Sequence, residues 1–173
     1  MNNSPEFSRR IDGLHLAAGG ETYIIAAKPE ERAGLARRFA LLTLDRLEAR
    51  AKLTPLAGGY YRLAAEFEAD LVQACTVTLE PVPARLAEAF TLTYGPVEES
   101  GEIFLDGATE PVEPLEDGMI DIGEAVAQQL SLALDPFPRA PGAEAESETA
   151  FGDESPAESP FAALARLRKP GQG

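Results

Sequence analysis

Two side chains in this sequence are of types that nucleophilic or metal chemistry uses: Cys75, the single cysteine, and His15, the single histidine. A thiolate beside an imidazole would make a Cys-His nucleophile, and a thiolate with further sulfur or nitrogen ligands would hold zinc. Cys75 lies in "DLVQACTVTLEPV", where apolar and polar residues alternate, so a third reading is a core side chain. A catalytic thiolate wants a partly exposed, electropositive setting, whereas the alternation places Cys75 in phase with Leu71, Val77 and Leu79 on an apolar face. The core reading is favoured. The other titratable groups are carboxylates, too numerous for any pair to stand out as general acid and base, and Glu98-Glu99 lacks the spacing of a calcium loop. There is no nucleophile elbow, dinucleotide fingerprint, phosphate loop or HExxH. The sequence reads as non-enzymatic, with no catalytic residue, cofactor or metal.

The elements that position these residues follow from period. "ETYIIAAKPEERAGLARRFALL" opens with a short strand, Thr22 to Ala26. Pro29 then stands at a first helical turn with Glu30 and Glu31 at its positive end, predicting a helix from Pro29 to about Phe39. From Arg46 the period is two, with Leu47, Ala49, Ala51 and Leu53 on one face. Gly58-Gly59 marks a turn into a second alternation, Tyr61, Leu63, Ala65, Phe67, Ala69 and Leu71. This phase runs on through Cys75 to Leu79, too far for one strand, which predicts a bend near Val72 to Ala74 and two strands sharing the run. The prolines of "EPVPA" interrupt the ladder, and a further strand carries Leu86, Phe90, Leu92 and Tyr94 inward, with Glu88 as a misfit.

The second half is acidic. Of the net charge of −14, residues 61–160 carry 3 Lys/Arg against 22 Asp/Glu, whereas residues 161–173 carry 3 against none. Such a middle repels nucleic acid and suits a basic partner or plain solubility. Residues 96–118 read as an acidic loop with one short strand at Ile103 to Leu105. "IDIGEAVAQQLSLALDPFPRAPG" predicts the clearest helix: Asp121 as N-cap, Glu124 completing a capping box, Ile122, Val126, Leu130 and Leu134 four apart, and Asp135-Pro136 as the stop. Residues 140–159 read as a disordered acidic linker, and 160–173 as a short amphipathic basic segment that must dock to hold a helix. No run of about 18 apolar residues occurs, and the first residues lack a signal-peptide centre, so the expected location is the cytoplasm.

Five pieces in order, "PEFSRRI", "PEERAGLARRFAL", "VQACTVTLEPV", "IDIGEAVAQQLSLALDPFPRAPG" and "PFAALARLRK", resemble the YceD-like family, named for accumulation of large-subunit ribosomal RNA, in its alphaproteobacterial form. The resemblance implies a role in large ribosomal subunit biogenesis without enzyme motifs. Many members carry a second cysteine three residues after the first and more beyond the segment equivalent to "DPFPR", which implies a closed tetrahedral zinc site in them. Here Thr78 holds the second place and "PFPRAPGA" has no cysteine, so Cys75 reads as the core-facing remnant of a metal pair.

The expected fold is α+β: an antiparallel sheet of four to five strands, a short N-terminal helix, a longer C-terminal helix and a flexible tail, with residues 1–139 as one domain. The expected function is support of large-subunit assembly by binding a basic ribosomal protein or a precursor particle. Candidate partner-binding residues are Glu98, Glu99, Glu102, Asp106, Glu110, Glu113, Glu116 and Asp117 in the acidic loop, with Phe161, Leu164, Arg166, Arg168 and Lys169 in the tail. The alternative is an acidic chaperone for some other basic protein. Oligomeric state and direct RNA contact stay open.

Overall fold

The structure, a computed structural model, describes residues 5–96, 112–115 and 117–143. Residues Met1–Pro141 form one compact unit. In chain order its elements are β1 (Arg10–Asp12), β2 (Glu21–Ala26), α1 (Pro29–Arg38), β3 (Thr43–Pro55), β4 (Tyr61–Ala74), β5 (Pro81–Gly95), β6 (Val112–Pro114), β7 (Met119–Asp121) and α2 (Ile122–Ala133). A five-stranded sheet runs β2-β3-β4-β5-β6, and β1 pairs with β7 in a separate two-stranded sheet. The result is an α+β fold with one helix toward each end of the chain.

The sheet is built on three long antiparallel strands whose alternation is the one legible in the sequence. Leu47, Ala49, Ala51 and Leu53 of β3 and Tyr61, Leu63, Ala65, Phe67, Ala69 and Leu71 of β4 are all buried. Gly58 and Gly59, at φ 76° and 79°, make the turn between these strands, a conformation that costs other residues but not glycine. β3 starts earlier than its alternation implies. A bulge between Leu44 and Arg46 shifts the phase, so Leu44 and Leu47 both reach the core.

α1 packs on β3 through Leu35 and Ala36, Gly34 lies against the Glu6 side chain, and α2 packs against β4, β5 and β1. Ile122, Val126 and Leu130 of α2 are fully buried, each worth about 1.5–3 kcal/mol relative to exposure. Gly123 lies so close to the N-terminal segment that a Cβ there would stand 2.5 Å from the Phe7 carbonyl oxygen. That approach lets Phe7, itself fully buried, enter the core.

Three expectations need correction. β4 continues unbroken to Ala74, and the second strand of the run begins only at Pro81, so residues 75–79 are a turn. Val77 and Leu79 are therefore 41% and 75% exposed, and Leu79 takes φ 63°. The prolines do not interrupt the ladder: Pro81 and Pro83 belong to β5, opposite Ala74 and Val72. They are tolerated because, among the described residues, β6 covers only Thr93 to Gly95 and leaves this end of β5 as a sheet edge. The sheet is also not wholly antiparallel, since β6 joins β5 in parallel. β6 lies in the stretch read as an acidic loop; the strand expected at Ile103 to Leu105 falls outside the described residues.

Candidate functional site

The turn after β4 is where the one cysteine meets its surroundings. Its backbone closes through Cys75 N–H donating to Glu80 O at 2.8 Å and Leu79 N–H donating to Cys75 O at 3.0 Å. The Val77 and Thr78 N–H groups each donate to Cys75 Sγ at 3.4 Å. The segment after α2 folds over this turn: Thr76 N–H donates to Pro138 O at 2.9 Å, and Gln73 Nε2 donates to Asp135 O at 2.9 Å. Cys75 is fully buried yet stands apart from the main hydrophobic cluster.

The thiol is accordingly not a plain apolar side chain. The Thr78 side chain first, then the Ala140 and Thr78 backbone N–H groups, hold its pKa down to about 6, against the opposing effect of burial. Amide and hydroxyl donors stabilise the thiolate over the thiol. Thr78 and the segment beyond "DPFPR", where the family resemblance places further cysteines, thus converge on Cys75. The donor set present is one thiolate, a hydroxyl and N–H groups, which cannot close a tetrahedral zinc site. Among the described residues no three His, Cys, Asp or Glu side chains gather to hold a metal.

A Cys-His pair is excluded by distance. Gly13 packs against the Tyr61 ring at the start of β4, and His15 sits two residues on, its Nδ1 2.7 Å from Asp12 Oδ2. Cys75 follows the far end of that strand, about 40 Å away at about 3.3 Å per residue.

Of the expected partner-binding residues, two are described. Glu113 is exposed in β6 opposite Tyr94, and Asp117 is exposed at φ 51° in the turn before β7. Burial, then the charges of Glu113 and Asp121, push the Tyr94 phenol up to about 12. Glu98, Glu99, Glu102, Asp106, Glu110, Glu116, Phe161, Leu164, Arg166, Arg168 and Lys169 lie outside the described residues.

The solvent face of the sheet is zwitterionic. Arg46 pairs with Glu48 and Glu68 at 2.8 Å each, Arg85 reaches Glu68 at 3.2 Å, and Arg50 stands 3.8 Å from Glu66. Acids that count in the tally of the middle region are thereby matched across strands. The net negative charge of the chain is carried chiefly by acids outside this lattice. Charge totals along the sequence missed this, although the opposed registers Arg50↔Glu66 and Asp70↔Arg85 follow once the strands are aligned.

No helix among the described residues is long and apolar enough to cross a membrane. Comparison with family models matches residues 63–168 to the family described as "Large ribosomal RNA subunit accumulation protein YceD". Neither the curated proteins nor the solved structures contain a match. The matched span starts in β4, includes the Cys75 turn, β5 and α2, and ends within the basic tail.

Proposed function

The chain belongs to the YceD family, and from that membership we propose that it is a non-enzymatic factor that supports large ribosomal subunit biogenesis and accumulation of large-subunit ribosomal RNA in the cytoplasm. The match over residues 63–168 carries this reading. Its means is charge: Glu98, Glu99, Glu102, Asp106, Glu110, Glu113, Glu116 and Asp117 form the surface that receives a basic ribosomal protein or a precursor particle. Arg166, Arg168 and Lys169 supply the opposite charge, and Phe161 and Leu164 the apolar contact, in a segment that binds a partner rather than its own domain. In this reading the chain is one α+β domain over residues 1–139 with an acidic linker, of the alphaproteobacterial form of the family.

Gradient sedimentation of cell extract tests it. The chain should travel with large-subunit precursors and leave them as salt rises. A chain that stays at the top of the gradient and captures a non-ribosomal basic protein would establish the second reading, an acidic chaperone, which the net charge of −14 also suits.

A further inference from the structure

The two edges of the five-stranded sheet are built differently. β6 is three residues long and ends in Pro114, a short edge that resists further pairing. β2 has neither proline nor bulge, and Ile24 at its centre is 76% exposed. Ala27 N–H donates to Leu47 O at 2.9 Å, so the odd-numbered residues of β2 turn their backbone toward β3. The even-numbered residues Thr22, Ile24 and Ala26 turn theirs outward, as the Arg9 Nη2 hydrogen bond to Ala26 O at 3.1 Å shows. Thr22 and Ile24 have no backbone partner on that side among the described residues.

This edge is complementary to itself. An antiparallel pairing with a two-fold axis at Ile24 sets Ile24 opposite Ile24, and Thr22 opposite Ala26, so every outward backbone group in the strand finds a partner. Moving the axis by one residue would draw in either Gly20, at φ 77°, or Lys28, the N-cap of α1, both of which lie outside the strand. With the axis at Ile24, the two Ile24 side chains meet on the solvent face of the joined sheets and cover apolar surface that each copy leaves exposed. Ala26 O accepts a second hydrogen bond without releasing Arg9, because a carbonyl has two lone pairs. We propose that two copies of this chain associate edge to edge through β2, joining their sheets into one.

Sedimentation velocity on the full chain from about 10 to about 500 µM, with amide exchange at both ends of the range, tests the proposal by mass action. The expected result is a shift from monomer to dimer, with exchange at Thr22 and Ile24 slowing as dimer forms. Ile24→Lys, tolerated in the monomer because the side chain faces solvent, should weaken association by about tenfold or more by placing two ammonium groups at the seam. A monomer throughout the range with fast exchange at both amides would overturn the proposal. So would a dimer indifferent to Ile24→Lys.

Discussion

Cys75 shows how little a residue's burial says about its chemistry. Its depressed pKa ties stability to pH. With a folded value of about 6 and an ordinary thiol near about 8.5, the thiolate's contribution is complete above about pH 8.5 and is lost as pH falls through about 6. Melting curves of wild type and Cys75→Ala should therefore diverge as pH rises from about 6 to about 8.5, the wild type gaining. Parallel profiles would show that the donors around sulfur do not act on the thiolate. Alternation along the sequence found the burial correctly and the surroundings wrongly. The donors come from a tight turn at Val77 and Thr78 and from Ala140 beyond α2, and period carries no information about either.

At the scale of elements, α2 rests on one carboxylate. Asp121 accepts from the Gly123 and Glu124 N–H groups as a helix cap, and also from Arg9 N–H and the Ser8 hydroxyl, fastening the N-terminal segment to the helix start. Glu124 does not complete the capping box; it forms a two-pronged pair with Arg38 instead, joining α2 to α1. Asp121→Ala strands four donors, and urea denaturation should show a loss of about 2–3 kcal/mol, more than a cap alone provides. A loss under about 1 kcal/mol would mean that water replaces the carboxylate. Both helices and the three long strands were legible because each has a period, a cap or a stop. β1, β6 and β7 were not, since three residues are too few to show alternation and their pairing depends on segments far along the chain.

For the whole molecule, the distribution of charge makes two further predictions. Neutralising the eight acids from Glu98 to Asp117 should weaken association with large-subunit precursors and flatten its salt dependence, because exposed charges act over about 10 Å at 0.1 M salt. Unchanged sedimentation at low salt would reduce these acids to a solubilising role. Deleting residues 160–173 should abolish co-sedimentation while leaving Tm nearly unchanged. A tail docked on its own domain would instead cost about 2–4 °C per kcal/mol lost. The placement of the N-terminal segment bears on time rather than affinity. Ser8 and Asp121 are 113 residues apart in sequence, Arg10 pairs with Asp121, and Phe7 lies fully buried beside the start of α2. Closing so long a loop is entropically costly, and although Arg9 has partners in Ala26 and Glu31, the pairing of β1 with β7 and the cover over Phe7 wait for residues 119–123. The meander of β3, β4 and β5 can form from local hairpins before then. The expected order of folding is therefore sheet first and closure second, with the N-terminal segment and the start of α2 meeting only after the meander that separates them in sequence has formed.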